Sequence, residues 1–263
     1  MPVLRYLTFL LLLSVSLIMG CGESGTGGTG QLSSSASLTL TADKTSVAAG
    51  DNVSATVKLT SLTSAPVNGV TVTVDSIYQG IVIGSYSSNT NTSGNAVINI
   101  PMTMVASNRT IYLVARSSGI TSSSASPLTV VAPVLGSTIP AATSGGATPF
   151  SLITFVLGGD VVSFLDGNNI GIPGSVITFT LDSVTGAGGT LEHDNVAIPV
   201  GGTFMVTTSS AGTANTAITA TILSGADGTD AVTTFYYTLS VTYQGLTFTK
   251  PFSSQYTVTA TAP

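Results

Sequence analysis

The sequence predicts an all-β protein: two antiparallel β-sandwiches in tandem. Three observations point there. Apolar and polar residues alternate in short β-branched runs, such as Val53-Ser-Ala-Thr-Val57 and Val70-Thr-Val-Thr-Val74, the pattern of strands with one buried face. Past residue 20 no stretch combines a sustained helical period with caps. The runs fall into two sets, with a Pro- and Gly-rich stretch between them.

Taken in order, the chain opens with one basic residue, Arg5, and an apolar run from Leu7 to Met19 that closes Leu17-Ile18-Met19-Gly20-Cys21. About 13 apolar residues are too few for a spanning helix, which needs about 20. Residues 1–20 therefore read as a signal peptide. Their ending resembles the lipobox of bacterial lipoproteins. The resemblance implies cleavage after Gly20 and lipidation of Cys21, the only cysteine of the chain. Gly22 stands where an Asp would favour inner-membrane retention, so the resemblance implies a cell-envelope protein of the outer membrane, with the bilayer as its first partner. Residues 21–35 are rich in Gly and Ser and have almost nothing to bury; they read as a flexible tether of about 20 Å r.m.s. span.

The first unit is expected over 36–131. Its strands read as Ser37–Thr41, Val53–Leu59, Val70–Val74, Ala96–Ile100, Ile111–Ala115 and Leu128–Val130. Residues 132–149 hold Pro133, Pro140, Pro149 and the Gly145-Gly146 pair. Pro lacks a donor and disfavours a central strand, so this segment reads as a linker. The second unit is expected over 150–263. Its strands read as Ser151–Leu157, Asp160–Leu165, Ser175–Leu181, Thr203–Thr208, Ala217–Ile222, Thr233–Tyr243, Leu246–Lys250 and Gln255–Ala260. Gln244-Gly245 suits a tight hairpin, which makes Thr233–Thr249 a long hairpin and a prominent edge for binding.

The two units share a grammar. Pro66-Val-Asn-Gly69-Val-Thr-Val72 precedes Thr92-Ser-Gly94-Asn-Ala-Val97; Ile172-Pro-Gly174-Ser-Val-Ile177 precedes Ser209-Ser-Ala-Gly212-Thr-Ala214. The glycines are farther apart in the second copy, which assigns it an inserted loop over 186–202. With Leu38-Thr-Leu-Thr-Ala-Asp43-Lys-Thr-Ser-Val47 followed by Gly50, the pattern resembles bacterial Ig-like domains of the invasin/intimin type. The resemblance implies tandem immunoglobulin-like sandwiches and brings no catalytic residue with it.

Composition narrows the function. Only 6% of residues are charged, against a usual ~25%, so Ser, Thr, Gly and Asn carry the polar surface. Without Arg5, five basic residues face eleven acidic ones, and the basic residues are scattered; nucleic acid is not an expected partner. Once Cys21 is acylated no thiol remains for a disulfide, a zinc site or a nucleophile.

The candidate constellations are sparse. His193, the single histidine, lies in Leu191-Glu192-His193-Asp194. A metal or acid–base site there, or a hydrolase using Glu192, His193 or Asp194, competes with a solvated loop tip, and adjacent strand residues point to opposite faces. Asp166-Gly-Asn168-Asn169 and Asp227-Gly-Thr-Asp230 group oxygen ligands of the kind calcium takes, in turns where Asp and Asn are equally expected. Gly186-Ala-Gly-Gly189 lacks the helix and lysine of a phosphate loop. With no tryptophan, sugar stacking would rest on Tyr78, Tyr86, Tyr112, Tyr236, Tyr237, Tyr243 and Tyr256, which equally suit a sandwich rim. The expectation is a lipid-anchored, non-enzymatic protein that acts as an adhesive or scaffolding surface for a protein or glycan. The alternative is a calcium- or carbohydrate-binding accessory lipoprotein.

Overall fold

The computed structural model describes residues 36–122, 124–157 and 161–262. Residues 1–35, with the expected signal peptide, Cys21 and the expected tether, lie outside them. The described residues are all-β. Strands β1 (Ser37–Ala42), β2 (Ser46–Ala48), β3 (Asn52–Thr60), β4 (Thr71–Tyr78), β5 (Ile81–Asn89), β6 (Asn95–Pro101), β7 (Arg109–Ser117), β8 (Ile120–Thr121) and β9 (Ser126–Val131) form the first sandwich. One sheet has the order β1-β3-β6; the other is β2-β9-β7-β4-β5, with β8 on β7. The first strand is thus divided. β1 pairs antiparallel with β3, and the chain then crosses so that β2 runs parallel to β9.

The second sandwich repeats this plan. Its strands are β10 (Val134–Ser137), β11 (Ala142–Ala147), β12 (Leu152–Leu157), β13 (Val161–Leu165), β14 (Val176–Gly186), β15 (Thr190–His193), β16 (Val196–Ile198), β17 (Thr203–Thr207), β18 (Thr213–Asn215), β19 (Ile218–Leu223), β20 (Asp230–Tyr243) and β21 (Leu246–Ala260). One sheet is β11-β21-β20-β14-β17. Facing it, β10-β13-β18 and β12-β19-β15-β16 lie end to end, because β12 leads into β13 and β18 into β19. The topology is that of tandem immunoglobulin-like sandwiches.

Two expectations need correction. Residues 132–149 are not a linker. β10 pairs with β13, and β11 runs parallel to β21 from Ala142↔Gln255 to Ala147↔Ala260. The prolines that argued against a strand fall outside these ladders, with Pro140 at the point where the chain changes sheets. Residues 186–202, in turn, are not an open loop. They hold the β15–β16 hairpin, which adds two strands beyond β19. Its two-residue turn, Asp194-Asn195, has φ of 50° and 62°, the left-handed pair that matches strand twist in a two-residue hairpin.

The repeat extends to individual hydrogen bonds. Gly69 N–H donates to Thr90 O, Thr90 N–H to Val70 O, and Val70 N–H to Thr90 Oγ1. Gly174, Thr208 and Ser175 make the same three bonds. Gly94 donates to Asn91 O and accepts from Leu59; Gly212 donates to Ser209 O and accepts from Phe164. Both copies need glycine because a Cβ on Gly94 would sit 2.5 Å from Leu59 O, and one on Gly212 2.6 Å from Phe164 O.

The cores differ in kind. The first is aliphatic, built on Val53, Val57, Leu59, Val72, Val74, Ile100, Ile111, Leu113 and Leu128. The second adds buried aromatic rings, Phe164, Phe179, Phe235, Tyr237, Phe248 and Tyr256, to an aliphatic set. His193, Phe204, Phe179, Tyr237 and Phe252 form a continuous column with successive centroid distances of 3.9, 4.6, 4.6 and 5.8 Å. Among the described residues, no helix is long and apolar enough to cross a membrane.

Candidate functional site

His193 is not at a solvated loop tip. It lies on β15 with its side chain 18% exposed, its ring stacked on Phe204. Nδ1 lies 2.6 Å from the carbonyl of Thr216, which fixes Nδ1 as the protonated donor in that bond. Nε2 is 3.4 Å from Asp194 Oδ2. Glu192 projects from the opposite face of β15, in register with Thr219. The acidic neighbours are therefore split between a turn and an outer face, while the imidazole pins the inserted hairpin to the aromatic column. The alternation of β15 decides this, and it becomes readable only once the partner strand is known.

The two oxygen-rich turns lie at opposite ends of the second sandwich, so Asp166 and Asn168 are not brought near Asp227 and Asp230. Asp166 Oδ1 accepts the backbone N–H groups of Asn168 and Ile170, both at 2.8 Å. Asn168 Nδ2 donates to Asp51 Oδ2 of the first sandwich at 3.0 Å. In the other turn, Asp227 Oδ1 accepts Ala262 N–H and Asp230 Oδ1 accepts the Thr259 hydroxyl, both at 2.7 Å. Among the described residues no group of three or more His, Cys, Asp or Glu is placed to hold a metal.

The turn containing Asp166 is part of the junction between the sandwiches. Gly167 packs so tightly there that a Cβ would lie 2.5 Å from Val131 O and 3.0 Å from the Cα of Ala48. Beside it a cavity of about 300 Å³ is lined by Gly50, Asp51 and Met104 from one side and by Asp166, Tyr243 and Gln244 from the other. The tip of the β20–β21 hairpin, expected as a prominent edge, therefore faces the junction. Its turn is as expected, with Gln244 at φ 48° and Gly245 at φ 80°.

The outer faces carry the remaining chemistry. On the first sandwich, Asp75 is held by Arg116, whose Nε donates at 2.6 Å, and by the Ser85 hydroxyl at 2.6 Å. The hydrogen bond from Arg116 holds the Asp75 carboxyl below its ordinary range against the opposing effect of burial. Tyr112 on β7 and Tyr236 on β20 are 47% and 42% exposed, each on the outer face of the larger sheet of its unit. On the second sandwich, β12 leaves Leu152 and Val156 71% and 72% exposed. Sequence reading missed that surface: alternating strands announce a buried face but not which apolar residues stay on the other one.

No protein-family model matches the chain, and no curated protein matches it. Solved structures align with the chain at low similarity. Escherichia coli α2-macroglobulin aligns at 10% identity and TM-score 0.31, over 86% of this chain and 17% of that one. The Yersinia pseudotuberculosis adhesin InvE aligns at 15% and 0.33, over 87% and 61%. Invasin, a bacterial integrin-binding protein, aligns at 15% and 0.35, over 82% and 39%. The chain thus spans less than two thirds of each of these proteins. The strand pairings themselves define a tandem immunoglobulin-like sandwich protein.

Proposed function

We propose that this chain is a lipid-anchored protein of the bacterial cell envelope with a structural or adhesive role and no catalysis. The junction supports the structural role, and the Leu17-Ile-Met-Gly-Cys21 ending supports the anchor. Two sandwiches meet through Asn168–Asp51, the close approach of Gly167 to Val131, and the β20–β21 tip. Such an arrangement presents sheet faces at a distance from an anchor. Cys21 is the anchor in this reading, and two or more acyl chains hold firmly where one is marginal. The Cys21→Ala chain is expected in the soluble fraction and the wild type in the outer membrane. Wild-type adhesion after deletion, together with an envelope pull-down that recovers no partner, would count against the adhesive role.

The exposure of Tyr112 and Tyr236 favours a second reading, a glycan partner, because an exposed ring on a polar sheet stacks on a sugar face. Calorimetry with a panel of uncharged oligosaccharides tests it, and Tyr236→Ala should weaken binding. Adding calcium to the same experiment tests the turns at Asp166, Asn168, Asp227 and Asp230. No heat from either addition removes this alternative.

A further inference from the structure

We propose that a second copy of this chain docks on the free edge of β12, pairing antiparallel across a two-fold axis at Thr154. Among the described residues the edge is free, because the first strand of the unit changes sheets early. β10 covers β13 and then leaves at Pro140 to become β11, which joins the opposite sheet. β12 keeps β19 as its partner on one side, from Leu152↔Leu223 to Leu157↔Ile218. The first sandwich handles the equivalent place differently. There β1 accompanies β3 as far as Ala42↔Ala55, and Asp43 closes the remainder by bonding both N–H and C=O of Ser54 at 2.9 Å. In the second sandwich six residues are left instead, Leu-Ile-Thr-Phe-Val-Leu, with no charge, Pro or Gly among them. A long uncharged apolar edge is a template for another strand.

The strand itself argues for a second copy as the occupant. Leu152, Thr154 and Val156 are exposed, while Ile153 and Phe155 are half-buried against the core. Antiparallel partners share a face, so a two-fold at Thr154 sets Leu152 against Val156 of the other copy, Thr154 against Thr154, and Ile153 against Phe155. Every exposed apolar side chain then meets an apolar one, as a self-complementary two-fold contact requires. Even with Leu223, 50% exposed beside Leu152, one six-residue strand edge is a small contact, below the ~1,200 Å² lower end of stable interfaces. A contact of that size belongs to the weak, transient class, so association is followed across micromolar concentrations. The two-fold also reverses the copies, so their amino-terminal ends point apart. If the anchored reading above holds, such a pair joins molecules rooted in facing membranes; the dimer itself does not depend on that reading.

The test is sedimentation equilibrium of the purified chain from low to high micromolar concentration, with cross-linking in a Cys21→Ser background. The wild type should move from monomer to dimer, and Val156→Lys, a change at an exposed position, should weaken association about tenfold or more. Thr154→Cys should form a disulfide dimer on mild oxidation, because directly opposed Cα atoms about 4.5–5.5 Å apart lie within disulfide reach. Thr219→Cys, one strand inward on β19, should not. A monomer at every concentration, a dimer indifferent to Val156→Lys, or Thr154→Cys cross-linking no faster than Thr219→Cys overturns the proposal. Loss of lipid anchoring with the dimer intact would instead remove the envelope reading alone.

Discussion

Gly69 and Gly94 share one backbone conformation, φ +74° at both, in different surroundings. A Cβ on Gly69 meets nothing within 4 Å; one on Gly94 would stand 2.5 Å from Leu59 O and 3.1 Å from Pro66. Gly94 O also accepts the Leu59 N–H at 2.8 Å. Placing an L-residue in the left-handed region costs about 1–2 kcal/mol, and Gly69→Ala should cost about the lower figure. Gly94→Ala adds about 1–3 kcal/mol of steric strain and about 1 kcal/mol for a disturbed hydrogen bond, or about 3–5 kcal/mol together. One kcal/mol moves the Tm of a unit this size by about 4–8 °C. Gly69→Ala should thus lower the first transition by about 5 °C, and Gly94→Ala by roughly three to five times as much. Thermal unfolding followed by circular dichroism reads both, with the second sandwich as an internal reference. The repeat extends the contrast to Gly174, whose Cβ would be free, and Gly212, whose Cβ would strike the backbone. Equal shifts for Gly69→Ala and Gly94→Ala would refute the reasoning, since only the surroundings differ.

Other outcomes follow from single contacts. Asp75 has a folded value below its ordinary 3.8, held there first by Arg116. Its contribution is therefore complete above that ordinary value and is lost as pH falls through the lower folded value. Acid titration of the first transition should show this loss below about pH 4, and Asp75→Asn should flatten it. His193→Ala removes the Phe204 stack and the Thr216 bond. It should cost about 2 kcal/mol in the second sandwich alone, read by urea unfolding. Gly167→Val drives a side chain into Val131 and Ala48. Small-angle scattering should show the units swinging apart while each keeps its own Tm.

Much of the first sandwich was legible because alternation is a local signal. The runs around Val53–Leu59 and Val70–Val74 are strands β3 and β4, and the glycines at 69, 94, 174 and 212 make the expected turns. The segment 132–149 was not legible for a physical reason. Ala142–Ala147 reads Ala-Thr-Ser-Gly-Gly-Ala, with little intrinsic strand preference, and becomes a strand because β21 presents a parallel edge. His193 read as part of a loop, whereas it lies on β15, and its surroundings depend on Phe204 and Thr216, which are distant in sequence.

The sequence by itself determined the all-β class, the repeated turn pattern and the turn glycines, because each follows from local periodicity or backbone freedom. The tertiary structure decided the rest: where the first strand of each unit changes sheets, that the β20–β21 tip lies in the junction, that Asp166 and Asn168 serve turn and junction bonds, and that β12 keeps an open edge. Those outcomes depend on which distant strand arrives alongside. Hydrogen-bond ladders between remote segments have no signature in the order of residues along either one.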